Sequence, residues 1–192
     1  AIQVGTLDTT AGGFRTDGVQ EAGLNMKYGL TPNLTFDFTL NPDFSQIESD
    51  RPQIEVNQRF PIFFPELRPF FLEGQEIYEI PGPVTLVHTR AVVDPRFGAK
   101  LSGKTGRTTF SLLVADDAAQ GKVDDPDDPE FEQFAQVVIA RAKFDLYPRS
   151  YLGVTFTDRE FLDSYSRLAG VDGDFWFGEN HRFTFRANGS DR

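Results

Sequence analysis

The sequence predicts an all-β chain: an antiparallel, up-and-down β-barrel of the outer-membrane type or part of one, with an irregular Pro- and Phe-rich segment packed at or in the lumen. Three observations carry that prediction. Stretches of apolar/polar alternation recur along the 192 residues, divided by small polar turns. In 134–146 one face reads Val138, Ala140, Ala142, Phe144, Leu146, while Arg141, Lys143 and Asp145 share the other, which suits a wet lumen. The connections also alternate in length, tight at 31–33, 104–107, 147–150 and 178–181 and longer at 116–133 and 158–166. Short turns at one end and long loops at the other are the outer-membrane pattern. A soluble sandwich would alternate too, with its polar face outside.

Composition narrows the class. There are 20 Phe, a loading that suits strands and membrane-facing surfaces. Mean hydropathy is −0.36 and no apolar run approaches the roughly 18 residues of a spanning helix, which leaves a β-barrel untouched. The absence of Cys removes a disulfide framework and a Cys-based zinc site. A net charge of −10 argues against nucleic acid as a partner. Ala1 opens without a signal region and 188–192 stops just after a strand, so a fragment of a longer chain is expected.

Taken in order, a first strand is expected at 2–6. Leu24, Met26 and Tyr28 then alternate with Gly23, Asn25, Lys27 and Gly29, and the turn Thr31-Pro32-Asn33 leads into a strand at 34–40. After an irregular region, 41–83, strands are expected at 84–89, 97–102 and 108–115, the last with Phe110, Leu112 and Val114 on one face. An acidic outer loop fills 116–133, and strands follow at 134–146, 151–157, 168–177 and 182–187. That makes about nine or ten strands. Gly98, Gly103, Gly106, Gly153, Gly170 and Gly173 read as relief at bends and turns.

The region 41–83 fits neither an ordinary strand nor a helix. It contains Pro52, Pro61, Pro65 and Pro69 among clustered phenylalanines. Irregular backbone of this kind cannot face lipid, because its amides and carbonyls would be unsatisfied, but it is permitted inside a barrel. Strand parity bears on it. If the tight turns are periplasmic, 34–40 and 108–115 run outward and 97–102 runs inward. A strand at 84–89 paired with 97–102 would then start on the periplasmic side. The chain between must recross, as a weak strand at 53–57 or through the lumen. A partial plug at 63–74 is the expectation.

The residues NPDFSQIESDRP at 41–52, followed by FFPELRPFFLEG at 63–74, resemble the signature of the DUF5916 family. The likeness extends to GLNMKYGLTPNLTFDFTLNPDF (23–44), GAKLSGKTG (98–106), and TDRE with YSRLAGVDGDFWFG (157–178). The resemblance implies a bacterial protein, often of Bacteroidota, Acidobacteriota or Gemmatimonadota type. It further implies a carbohydrate-binding (family 9-like) domain ahead of an outer-membrane-barrel-like region, the former absent from this chain. Some members carry the label of membrane-associated hydrolase, but no catalytic residue comes with the resemblance.

Chemistry concentrates in the same region. Asp43, Glu48, Asp50, Glu55, Glu66, Glu73 and Glu76 lie beside Arg51, Arg59 and Arg68. They could form a cation site or a carboxylate pair with split acidities. The alternative is a salt-bridged network pinning the plug to Lys100, Arg141 and Lys143, since buried charge must be paired. Asp43, Glu48, Asp50, Glu66, Arg68 and Glu73 are the candidate lumen network, with Arg68 the expected bidentate anchor. The loop Asp124-Asp125-Pro126-Asp127-Asp128-Pro129-Glu130 could collect calcium or bridge to lipopolysaccharide, or be simply solvated; it lacks the glycine and spacing of a helix-loop-helix calcium site. His88 and His181 are too far apart in sequence to propose as a pair. No nucleophile elbow, zinc helix or phosphate loop appears, and no cofactor is expected. Tyr28, Phe44, Tyr147, Tyr151, Trp176 and Phe177 are candidates for interfacial girdles or for ordinary packing. The expected role is a barrel segment in the bacterial outer membrane, for transport or as a surface anchor. Its partners would be outer-membrane lipid and, through the upstream domain, glycan. The alternatives are a membrane-associated hydrolase using carboxylates around 66–76, and a soluble β-domain with no site of its own.

Overall fold

The computed structural model describes residues 2–8, 13–19, 23–42, 66–80, 82, 85–123 and 125–192. Strands β1 (Ile2–Asp8) and β2 (Gly13–Val19) form a separate hairpin. The other eight are β3 (Leu24–Thr31), β4 (Leu34–Leu40), β5 (Pro95–Thr105), β6 (Thr108–Asp117), β7 (Ala135–Tyr147), β8 (Ser150–Phe161), β9 (Ser164–Phe177) and β10 (His181–Asp191). They build one antiparallel sheet in which every strand lies beside its neighbour in sequence, running from β10 to β3 without a crossover. The expected all-β, up-and-down architecture is therefore present as an open sheet. Among the described residues β3 and β10 are not paired with each other, so it does not close into a barrel.

Alternation dictates the two faces. Register partners such as Met26 and Phe38, Leu101 and Leu112, Val154 and Val171, and Phe175 and Phe183 stack across strands on one side of the sheet. Asp37 and Lys100, Ser102 and Ser111, and Gly153 and Asp172 stack on the other. The apolar side is turned outward: Leu24, Met26, Tyr28, Leu112, Phe144, Val154, Phe156, Val171 and Phe183 are all exposed. The polar side is buried beneath residues 66–92. The interior is thus polar and charged except for a small apolar cluster, and the exterior is apolar, the reverse of a water-soluble sandwich.

The turns follow from local chemistry. Gly106, at φ 59°, supplies the positive φ that a tight hairpin needs. Arg149 and Leu162 adopt the same region without being glycine.

Several expectations need correction. Residues 85–88 are irregular and Thr89–Ala91 is a 3-10 turn, so no strand forms at 84–89 over its described part. The connection at 158–166 is not a long loop: β8 and β9 pair as far as Phe161 and Ser164, leaving a two-residue turn. Its charged residues continue the ladder rather than interrupt it. The parity argument loses its premise. β4 pairs directly with β5, Leu40 opposite Phe97, and the Asn41 amide donates to the Arg96 carbonyl at 2.7 Å. The excursion between them leaves and returns at the same end of the sheet. The weak strand at 53–57 lies outside the described residues, as do Phe63, Phe64 and Pro65 of the expected plug.

Within the excursion, Pro69 opens a single helical turn, α1 (Pro69–Leu72), where its fixed φ and missing N–H are harmless. A 3-10 turn, Gln75–Ile77, follows Gly74. Phe71, Tyr78 and Val92 then pack on Leu113, Ala115, Val137 and Ile139 of β6 and β7, with Phe70 and Val87 against them.

Candidate functional site

The most organised chemistry lies where 66–92 meets the polar face. At its centre the Arg68 guanidinium takes Glu66 in bidentate fashion, Nε to Oε1 and Nη2 to Oε2, both at 2.8 Å. It also donates to the carbonyls of Val92 (2.5 Å) and Thr89 (3.1 Å). The Thr89 hydroxyl donates to Glu66 Oε2 at 2.8 Å, and the Arg68 amide to Oε1 at 3.1 Å. Both side chains are 2% exposed. The Phe71 ring lies 4.2 Å from the guanidinium carbon. Burial pushes the Glu66 carboxyl up, but the hydrogen bonds from Arg68 and Thr89 outweigh it and hold the group below the usual carboxylate range. The result is a knot tying 66–68 to 89–92 within the segment itself.

The wall grips this segment at separate points. Lys100 on β5 donates to the carbonyls of Phe70 (2.5 Å) and Glu73 (2.7 Å), and lies 3.5 Å from Asp37 on β4. Those carbonyls end α1, where a cation is favourable. Lys27 on β3 pairs with Glu73. The Tyr78 hydroxyl meets Ser111 Oγ at 2.6 Å, and burial pushes its phenol up to about 12. Asp117 accepts the amides of Val93 (3.1 Å) and Asp94 (2.8 Å). Arg159 bonds the Ala91 carbonyl at 2.7 Å. Gly98 leaves room for Phe70: a Cβ there would stand 2.9 Å from the ring.

The remaining polar face is paired within itself. Arg141 holds Asp172 at 2.5 and 2.8 Å and Thr155 at 3.1 Å, over Gly153, whose missing side chain admits the guanidinium. Arg182 holds Asp174 at 3.0 and 2.8 Å. Lys143 sits 4.6 Å from the Tyr151 ring, and Arg149 3.7 Å from that of Trp176. Between 75–87 and this face runs a cleft of 520 Å³ lined by Gln75, Glu76, Glu79, Thr85, Lys143 and Tyr151. Sharing Gly82 and Tyr151 with it is a hollow of 320 Å³ beside Asp172, Thr184 and Arg186.

Of the candidate network, Glu66 and Arg68 are brought together, and Glu73 stands apart on Lys27. Asp43, Glu48 and Asp50 lie outside the described residues, as do Arg51, Glu55 and Arg59. Pinning to the wall takes a form that ion-pair reasoning missed. Lys100 holds the segment chiefly by two carbonyls, while Arg141 and Lys143 are engaged with wall residues instead. The anchor Arg68 takes its carboxylate from its own segment. Thr89, Asp117 and Arg159 were not singled out from sequence; only Asp117 had a signal, as an inward position at the end of an alternating strand. His88 bonds the Thr85 carbonyl at 3.1 Å and His181 opens β10. Among the described residues no three His, Cys, Asp or Glu side chains converge on a point that could hold a metal. Both Glu66 oxygens accept hydrogen bonds, Oε1 from Arg68 and Oε2 from Arg68 and Thr89.

A family model described as "Domain of unknown function (DUF5916)" matches residues 5–93, which include both signature segments. No curated protein and no solved structure matches the chain.

Proposed function

With residues 5–93 matching the DUF5916 family model, we propose that this chain forms part of the wall of a bacterial outer-membrane β-barrel. Segment 66–92 occupies the lumen, and the barrel serves as a membrane anchor for a glycan-binding domain upstream. The observation that supports this best is the outward apolar face. It crosses all eight strands, and its members are well exposed: Leu24 55%, Tyr28 61%, Val154 49%, Phe183 56%. Eight strands about 4.8 Å apart, apolar over about 23 Å of their length, give a patch of roughly 900 Å². Water-soluble monomers rarely show more than a few hundred. Beyond Phe156 and Ala169 the same face turns charged, with Arg167 paired to Asp158 and Glu160. That change is what a headgroup boundary would require, and Tyr147 and Phe177, exposed at the opposite end, suit the other interface.

An anchor fits better than an open pore because the segment is seated by an apolar cluster as well as by hydrogen bonds. Two experiments test the reading. The whole protein should refold only with detergent or lipid, giving a β-type circular dichroism spectrum and heat-modifiable gel mobility; a stable β fold in plain buffer would remove the membrane. In planar bilayers it should be nearly silent and conduct once 66–80 is deleted. Steady large conductance by the intact protein would favour transport.

A further inference from the structure

Near the tight turns, three inward cations of the wall have carboxylate partners: Lys104 with Asp145, Arg141 with Asp172, and Arg182 with Asp174. Lys143 on β7 has none among the described residues. Its half-buried side chain meets the Tyr151 ring, which satisfies none of the three ammonium donors by a carboxylate. What Lys143 lines is the 520 Å³ cleft, and on the segment side of the same cleft stand Glu76 and Glu79. Both glutamates are exposed, and among the described residues neither forms an ion pair, with Lys143 or any other cation. The cleft therefore holds opposite charges on opposite walls and keeps them apart. Its lining also includes the half-buried apolar side chains of Ile80, Leu86 and Val87.

Charges that line a cleft have lost part of their hydration, so a ligand that supplies the countercharge is favoured there. The pattern selects among ligands. A phosphate would suit Lys143 but meet Glu76 and Glu79. A divalent cation would suit the glutamates but meet Lys143, and no three metal-binding side chains converge among the described residues. An uncharged sugar stacks on an open aromatic face. Of the two rings in the lining, Tyr78 belongs to the apolar cluster and Tyr151 is capped by Lys143. A ligand with one anionic end, one cationic end and an apolar body fits all three constraints. The volume lies within the range of small-molecule sites, about 300–1,000 Å³. Three residues of extended chain span about 10 Å.

We propose that this cleft binds a short apolar peptide with free ends. Its carboxylate sits on Lys143, its ammonium on Glu76 and Glu79, and its side chains on Ile80, Leu86 and Val87. The site lies on the polar side of the sheet and does not depend on what the outward face touches.

The test is isothermal titration calorimetry of the whole folded protein with trialanine, N-acetyl-trialanine, trialanine amide and maltotriose. Trialanine should bind, each capped form at least tenfold more weakly, and maltotriose not at all. Lys143→Met should weaken trialanine at least tenfold and abolish the difference between trialanine and its amide. Glu76→Gln combined with Glu79→Gln should abolish the difference between trialanine and its N-acetyl form. Lys104→Met, whose ion pair lies outside the cleft lining, should bind as the native protein does. No binding of trialanine at millimolar concentration overturns the proposal. So does equal affinity for free and capped peptides, binding of maltotriose as tight as that of trialanine, or native affinity in Lys143→Met. The capped-peptide comparison uses the native protein, so it decides the matter even where a variant fails to fold. Because calorimetry reads the cleft and not the membrane, its outcome is separate from that of the refolding test above.

Discussion

Replacing Arg68 by Met removes the centre of the knot while keeping much of its apolar stem. The change leaves the Glu66 carboxylate, 2% exposed, without its countercharge, and takes a donor from the carbonyls of Val92 and Thr89, of which the Thr89 carbonyl keeps the Val92 amide at 3.0 Å. Breaking a buried pair by removing one partner costs about 3–5 kcal/mol, and the Val92 carbonyl, losing its donor, adds about 1–3 kcal/mol where water cannot reach it. Partial relaxation and protonation of Glu66 offset some of this, so a net loss of about 3 kcal/mol is expected for the segment. That corresponds to roughly a hundredfold change in an opening equilibrium. Because the knot is internal to 66–92, the loss should fall there and not on the wall. Amide hydrogen exchange of the detergent-folded protein reads this directly: protection of the 3-10 turn amides Ala91 and Val92 should drop about a hundredfold, with β6 and β7 unchanged. Lys104→Met, which breaks the exposed pair with Asp145, should change little, since such pairs contribute about 0–1 kcal/mol. A drop of less than tenfold for Arg68→Met, or an equal loss across β6 and β7, would refute the reasoning.

Other perturbations follow from the same contacts. Gly98→Val should unseat Phe70, costing about 1–3 kcal/mol as overpacking, and limited proteolysis should then cut within 69–74 where the native protein resists. The Glu66 carboxyl is held below the usual carboxylate range, so its contribution is present above an unfolded value near 4.5 and is lost as pH falls through the folded one; exchange protection of 89–92 should fall in that acid range and be flatter with pH in Glu66→Gln. The Tyr78 phenol is raised from 10.0 to about 12. Its stabilisation is therefore full below pH 10 and is lost as pH rises towards 12, up to about 3 kcal/mol, an effect that Tyr78→Phe should abolish in alkaline unfolding curves. Val154→Arg on the outward face should impair folding into bilayers by about 2–4 kcal/mol if the site lies near the midplane, whereas Thr157→Arg on the polar face should not.

The strands were legible wherever an apolar band alternated with small or charged residues. The element at Leu34–Leu40 was bounded correctly because Phe36 and Phe38 alternate with Asp37 and Thr39. β8 and β9 extend past their apolar bands into Asp158, Arg159 and Glu160, where period-two hydrophobicity vanishes while the ladder continues, so their turn read as a loop. β2 was missed because Gly13–Val19 holds too few apolar residues to show a period. At 85–89 β-propensity misled: Val87 packs against the apolar cluster and Thr89 is claimed by Glu66, and these contacts decide the backbone. For the site, sequence identified Glu66, Arg68 and Lys100 but not who would meet whom. Composition shows that buried charges need partners; it does not show that backbone carbonyls at the end of a helical turn will serve as well as carboxylates.

The central claim is that the outward apolar face touches lipid. The chain has no cysteine, so a single environment-sensitive fluorophore can be attached at Val154→Cys on that face, or at Thr157→Cys on the polar one. In vesicles of brominated phosphatidylcholine the label at 154 should be strongly quenched and the label at 157 hardly at all. Equal quenching at both positions, or none at 154, would contradict the account.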